Sequence, residues 1–139
     1  MGLFSKLTAG KRKRVDPYGL WSDDAEQLDR FLERGASAEA PRDSEFSLSF
    51  TNEEAARAAG KELGEARVRG ELVAPSHGVD EWTVMIYGRD QPLVPDFLRD
   101  TIDRAEAIAA SHGGDYEGWV AKYTAAEKAD WGVELLFDD

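Results

Sequence analysis

The stretch 93–123 constrains the fold of this chain more than any other part of the sequence. Apolar residues recur there three and four positions apart, which predicts a helix with one apolar face over Pro95–His112. The residues of that face are Phe97, Leu98, Ile102, Ala105, Ile108 and Ala109. Proline suits a first helical turn, and the pair Gly113–Gly114 predicts where the helix ends. The segment Tyr116–Trp119 then predicts a short strand, so this half of the chain is a helix followed by a strand.

A strand and a helix are also predicted upstream of this stretch. Apolar residues alternate with serines there, which is the period of two expected for a strand with one buried face, formed by Phe46, Leu48 and Phe50. A helix is predicted to follow, from a capping box of Thr51 and Glu54 through about Leu63. Gly60 inside this helix predicts either close approach of a neighbouring element or marginal order.

Two further strands are predicted over Arg67–Ala74 and Trp82–Tyr87. From residue 46 the order is therefore strand, helix, strand, strand, helix, strand, which is the ferredoxin-like βαββαβ pattern of α+β proteins. Right-handed crossovers place both helices on one face of an antiparallel sheet. An extra N-terminal helix is predicted to begin with a capping box of Asp23 and Glu26 and to end at Gly35.

The second face of this predicted sheet raises a separate question. The strand Trp82–Tyr87 is apolar on both faces, which predicts burial on both sides or one exposed interaction face. The N-terminal helix or the segment Trp131–Phe137 are the candidates to cover it. In a regular strand Tyr116 and Trp119 would point to opposite faces, with Trp119 in the core. Gly118 between them is a position for a bulge or for close backbone approach.

The residues that follow the long helix read Asp115-Tyr116-Glu117-Gly118-Trp119. This run resembles the C-terminal signature of the RraB-like family, protein inhibitors and regulators of ribonuclease E, and a weaker resemblance extends back over residues 46–75. The resemblance implies the ferredoxin-like fold reached above. It also implies a partner, an endoribonuclease of the RNase E type, whose activity the family lowers by binding its scaffold region. We interpret the motif residues Tyr116, Glu117, Gly118 and Trp119 as structural.

Length and charge divide the chain into two parts. With 139 residues, one α+β domain is predicted over residues 21–139, preceded by a flexible basic leader over residues 1–20. The net charge of the chain is −11. The first fifteen residues contain no acid and have a charge of +5, so the charge of residues 16–139 is −11 − 5 = −16. The five bases are Lys6, Lys11, Arg12, Lys13 and Arg14. The leader either contacts nucleic acid or anionic lipid or is a solvated terminus. The acidic remainder repels phosphate backbones and attracts basic partners.

Several classes of function find no support in the sequence. The absence of cysteine excludes disulfides and thiolate sites. No apolar run reaches the roughly 18 residues of a membrane span, and no signal-peptide core is present, so a cytoplasmic location is predicted. His77 and His112 have no serine or aspartate partner at a recognisable spacing, and no calcium loop or phosphate-binding glycine motif occurs. We therefore predict neither catalysis nor a cofactor.

Acidic stripes are the candidate partner-binding surface. Carboxylates recur at helical spacing on two predicted helices, at Glu26, Asp29 and Glu33 on the first and at Asp96, Asp100, Asp103 and Glu106 on the long one. Such stripes are often only solvated faces, but together they suit a basic segment of a partner. The strand Glu81–Arg89 lacks the basic and aromatic signature of RNA-recognition modules, so direct nucleic-acid binding is not expected.

Together with the resemblance, the sequence predicts a small regulator that binds an RNase E-type endoribonuclease and acts as a monomer or weak homo-oligomer. The alternative is a small-molecule-binding regulatory module on the same fold.

Overall fold

The structure is a computed structural model, and it describes residues 14–15, 18–76 and 78–130. Its elements, in chain order, are β1 (Arg14–Val15), β2 (Leu20–Trp21), α1 (Ser22–Glu33), β3 (Arg42–Phe50), α2 (Glu53–Glu65), β4 (Gly70–Val73), β5 (Trp82–Gln91), α3 (Pro95–Ser111), β6 (Asp115–Ala121) and α4 (Ala125–Asp130). Part of the predicted leader over residues 1–20 belongs to the folded protein, because β1 pairs with β2 and Leu20 is fully buried. The predicted segment Trp131–Phe137 lies outside the described residues, as does His77.

The fold is mixed α/β, with a four-stranded antiparallel sheet in the order β4-β5-β3-β6 and four helices among the described residues. The four predicted strands of this sheet are confirmed, but β4 covers only Gly70–Val73 of the predicted Arg67–Ala74, because Arg67 belongs to the turn that ends α2. Strand β5 continues past its predicted end at Tyr87 as far as Gln91. It passes through an irregularity where Arg89 and Asp90 lie opposite Asp43, and Asp90 has a φ of +54° there.

One face of the sheet is packed against α2 and α3. The alternation predicted for β3 is confirmed, because Phe46, Leu48 and Phe50 are each at most 1 % exposed. Facing them are apolar side chains from both helices and from β5, namely Leu63, Val84, Ile86, Leu98, Ile102 and Ala105. Burying a large side chain of this kind contributes about 1.5–3 kcal/mol, so this layer is the main source of stability.

Helix α1 lies on the same side of the sheet as α2 and α3. Its Asp24 accepts a hydrogen bond of 3.0 Å from the Tyr116 hydroxyl, and its Phe31 lies under the guanidinium of Arg42, 4.9 Å from the ring centroid. Both partners point to the helix side, since they belong to the buried rows of β6 and β3. The idea that this helix covers the second face is therefore wrong. On that face, Met85 and Tyr87 are half-buried.

Helix beginnings differ from the predicted capping boxes. The N-cap of α1 is Trp21, with no side-chain bond, so Asp23 does not cap the helix as predicted. The N-cap of α2 is Asn52, whose side chain accepts a 2.8 Å bond from the Ala55 N–H, and the predicted Thr51 box is wrong. Asparagine is a better N-cap than threonine, which explains why Asn52 caps the helix in place of Thr51. Gly60 leaves α2 intact, and a Cβ there would meet nothing within 4 Å, so close approach is excluded.

Candidate functional site

The acids predicted on α3 are largely paired within the chain. Asp103 forms an ion pair of 2.5 Å with Arg14, and Asp96 forms one of 2.6 Å with Arg99. Glu106 accepts a 2.5 Å bond from the Trp21 indole. Of the four acids, Asp100 is exposed and has no ion-pair partner among the described residues. The stripe on this helix is therefore partly neutralised, and part of it holds the β1–β2 ribbon in place.

The acids predicted on α1 have fewer and longer ion pairs than those on α3. Glu26, Asp29 and Glu33 are all exposed. The nearest ion pair joins Glu26 to Arg30 at 3.9 Å, the outer limit of such a contact, and Glu33 has none among the described residues. Asp29 accepts a 2.7 Å bond from the neutral Tyr18 hydroxyl, which raises the pKa of that tyrosine. These three carboxylates lie on one helix face, at spacings of three and four residues.

The family-motif residues lie in β6, where one of the predictions fails. Tyr116 and Trp119 are 7 % and 5 % exposed and both face the helices, although a regular strand would place them on opposite sides. The physical reason is an extra residue in β6: Ser47 pairs with Gly118, and Leu48 already pairs with Tyr116. The inserted residue turns the strand by one side-chain position. Gly118 allows the distortion with a φ of +130°, in agreement with the bulge predicted there.

These motif residues make contacts within the protein. Trp119 packs on Phe46 with ring centroids 6.4 Å apart, so its predicted core position is confirmed. Glu117 accepts a 2.6 Å bond from the Ser49 hydroxyl. The Tyr116 hydroxyl reaches buried Asp24, which is 3 % exposed, and thereby connects β6 to α1. The motif therefore holds the sheet edge and α1 together.

A buried ion pair that was not predicted from the sequence joins β3 to α4. The Arg42 guanidinium donates to both carboxylate oxygens of Glu127 at 2.6 and 2.7 Å. The same carboxylate accepts from the Ser37 and Thr124 N–H groups at 2.9 and 3.0 Å. The Arg42 hydrogen bond, together with these backbone bonds, lowers the pKa of Glu127 to about 2. Thr124 and Glu127 form a true capping box, with a 3.1 Å return bond, and their spacing was the signal in the sequence.

Two open cavities flank β4. A cavity of about 380 Å³ between α2 and the sheet is lined mainly by apolar groups, including Leu63, Val68 and Leu72. A groove of about 450 Å³ on the other side of Val68 lies between the start of β4, β5 and α3. Arginines line this groove: Arg67, Arg69, Arg89 and Arg104. The groove is therefore positively charged, whereas the whole chain has a net charge of −11.

His112 lies at the end of α3, close to an acid of α2. His112 is the C-cap of α3 and its Nε2 lies 2.8 Å from a carboxylate oxygen of Glu62. No group of three or more histidine or acidic side chains within residues 14–15, 18–76 and 78–130 could hold a metal ion. Across the same residues, no helix combines the length and apolarity that a bilayer crossing needs.

The described residues form a small mixed α/β domain, with a four-stranded antiparallel sheet and exposed acidic side chains on α1. The sequence profile of the family RraB, regulator of ribonuclease activity B, matches residues 21–120, and the chain belongs to this family. The family description names a regulator of ribonuclease activity. Among curated proteins, no significant match to this sequence was found.

Proposed function

We propose that this protein binds an endoribonuclease of the RNase E type and lowers its activity by covering or rearranging its scaffold region. The observation that supports this proposal most is the family match over residues 21–120, which makes ribonuclease regulation the class of function. The protein supplies no chemistry in this mechanism. It acts in the cytoplasm as a monomer or weak homo-oligomer, and its binding domain is residues 21–139 together with the β1–β2 ribbon, behind a basic leader.

The strand order supports a finer classification of the fold. The strand order β4-β5-β3-β6, with all neighbours antiparallel, is the order expected of a ferredoxin-like βαββαβ sheet. We propose this classification, with α1 as the additional N-terminal helix. The family motif then has a structural role, since Tyr116 and Trp119 are buried and Glu117 bonds within the sheet.

We propose α1 as the docking face for a basic segment of the ribonuclease. The two acidic stripes differ in how much charge they offer. On α3, Asp96 and Asp103 already hold arginines of this chain at 2.6 and 2.5 Å. Of the three exposed acids on α1, Glu26 has a single ion pair, of 3.9 Å, and Asp29 and Glu33 have none among the described residues. These three carboxylates are therefore less neutralised than the acids of α3. Opposite charge accelerates encounter and adds affinity, and both effects weaken as salt screens the charges.

The test compares two triple variants that change the net charge equally. Glu26, Asp29 and Glu33 are changed to lysine in one, and Asp96, Asp100 and Asp103 in the other. At roughly 0.5 kcal/mol for each exposed charge, the α1 variant is expected to bind about tenfold more weakly, and the α3 variant less so. Binding to purified RNase E-type enzyme is measured by calorimetry from about 50 to 500 mM salt, alongside cleavage of a reporter RNA.

The outcomes separate the two levels of the proposal. A larger loss in the α3 variant would move the docking face to that helix. No binding of the wild-type protein at any salt, with unaltered RNA cleavage, would refute ribonuclease regulation through direct contact.

A small-molecule-binding module stays the alternative, and one observation favours it. The cavity between α2 and the sheet, about 380 Å³ and lined by Leu63, Val68 and Leu72, falls in the size range of ligand sites. A thermal-shift screen with metabolites at millimolar concentration distinguishes the two. A raised Tm that is lost when Gly64, whose Cβ would meet nothing within 4 Å, is replaced by leucine would favour the module.

A further inference from the structure

We propose that the arginine-lined groove at the start of β4 binds single-stranded RNA. This inference rests on the proposed function in one respect only: a protein that binds a ribonuclease comes close to the RNA that the ribonuclease binds. The site includes Tyr87 of the open sheet face and Asp100 of the α3 stripe, and it is separate from the acidic face of α1 that is assigned to the protein partner. The groove is lined by Arg67, Arg69, Arg89 and Arg104, which come from the turn after α2, β5 and α3.

The groove has the charge and the shape for an extended polyanion. Its lining contains four arginines and the single carboxylate Asp100, so it is positive in an acidic protein. A second cavity of about 460 Å³ adjoins it, and the two share Arg69, Tyr87 and Arg89. Together they form an open channel around the end of the sheet. A channel of this form suits a chain of phosphates better than one small anion.

Three of the four guanidinium groups have no ion pair among the described residues and are available for a ligand. All four arginines are exposed, and Arg67, Arg69 and Arg104 have no ion-pair partner among the described residues. Arg89 lies 4.2 Å over the ring of Tyr87 and 3.2 Å from Asp43. The planar fork of arginine matches a phosphate with two parallel hydrogen bonds. Two half-buried aromatic residues, Tyr87 and Phe97, also line the channel, with Arg89 over one face of the Tyr87 ring. The exposed part of such rings can stack bases.

The backbone at Arg67 is a second, independent observation. Helices α1, α2 and α3 all end in the same pair of hydrogen bonds, from the two residues after the C-cap back into the last turn. In α1 and α3 the first of these residues is a glycine, Gly35 or Gly113, with a φ of +92° or +72°. In α2 it is Arg67, with a φ of +62°. Left-handed backbone favours glycine, and side-chain residues kept there cluster at functional sites.

The position of Arg67 therefore has a functional explanation. Glycine would suit the backbone of this turn better than arginine, but only arginine places a guanidinium at the opening of the groove. Glycine at this position is expected to raise the Tm and to weaken RNA binding. A residue with only a structural role would not produce these opposite effects.

The experiment measures binding of short labelled single-stranded RNA to the full-length protein by fluorescence anisotropy at low salt. Arg69→Gln with Arg104→Gln removes two groove charges, and Arg30→Gln with Arg34→Gln removes two exposed charges from α1. The groove variant is expected to bind about tenfold more weakly and to flatten the slope of log K against log salt by about 1.4, since each phosphate contact contributes about 0.7. The α1 control is expected to stay within about twofold of wild type.

The opposing results are equally definite. No binding of wild-type protein, or equal losses in the groove and control variants, overturns the groove assignment. So does displacement of RNA by polyglutamate at matched charge, which would make an acidic peptide the ligand. Absence of RNA binding with intact ribonuclease binding refutes the groove alone. Absence of ribonuclease binding with intact RNA binding refutes the proposed function alone.

Discussion

Replacing Glu127 by glutamine tests the buried ion pair that joins α4 to β3. The Glu127 side chain is 11 % exposed and that of Arg42 is 1 % exposed, so neither charge is well solvated. Glutamine keeps the size of the side chain and removes its charge. The Arg42 guanidinium is then left buried without a counter-charge, which is the costly way to break such a pair.

The size of the effect follows from the pKa. The pKa of Glu127 falls from 4.5 to about 2 in the folded protein, chiefly because of its hydrogen bond with Arg42. Each unit of difference corresponds to about 1.4 kcal/mol, so the charged form adds about 3 kcal/mol to the free energy of unfolding. Removing one partner of a buried pair costs about 3–5 kcal/mol in general, in agreement with this value.

The sign of the pH dependence is fixed by the direction of the shift. A carboxyl whose folded pKa is lowered stabilises the protein fully above its unfolded pKa, here 4.5. That contribution declines as the pH falls toward the folded pKa of about 2. The difference between wild type and Glu127→Gln should therefore be largest at neutral pH and shrink steadily below pH 4.5.

Urea unfolding at several pH values from 7 to below 3 measures this difference. The matched control is Glu54→Gln, an exposed acid in the first turn of α2 that has no ion pair among the described residues; its effect should stay within about 0.5 kcal/mol. A Glu127→Gln loss below about 1 kcal/mol at neutral pH, or a loss independent of pH, would refute the reasoning.

Further outcomes follow from the core and from the N-terminal ribbon. Trp119→Ala should lower the free energy of unfolding by about 3–5 kcal/mol, whereas Val120→Ala, 55 % exposed in the wild type, should change it by under about 0.5 kcal/mol; full stability in the tryptophan variant would contradict the burial of Trp119. Deleting residues 1–13 should leave the Tm nearly unchanged, because that stretch is basic and aperiodic. Deleting residues 1–18 also removes the contacts of Arg14 with Asp103 and of Tyr18 with Asp29, and should lower the Tm by several degrees; equal values for both truncations would show that these contacts add nothing.

The elements of the fold were predictable because their signals are local. The alternation of Phe46, Leu48 and Phe50 and the helical spacing over Pro95–Ser111 arise from the geometry of strand and helix, and the structure has both elements. The glycine after His112 likewise ends α3, with Gly113 in left-handed backbone. Such features require no knowledge of distant residues.

Caps and strand faces were less predictable because neighbours compete or shift. Asn52 caps α2 in place of Thr51, one position away, since a better acceptor stands beside the weaker one. The faces of Tyr116 and Trp119 depend on one inserted residue in the pairing of β6 with β3. Because strand side chains alternate with a period of two, a single extra residue reverses the face of everything beyond it.

The amino-acid pattern alone established the order of the four sheet strands and of α1 to α3, the buried row of β3 and the acidic composition, because each is a property of the sequence or of neighbours along it. The β1–β2 ribbon and α4 were not predicted. Folding established which charges remain free and which are paired. Arg42 and Glu127 are 85 positions apart, and Arg14 and Asp103 are 89 apart, so no spacing rule connects them. The arginine groove likewise exists because the sheet brings the turn after α2 beside β5 and α3. Contacts between distant residues depend on how the elements pack, and packing is a property of the whole chain.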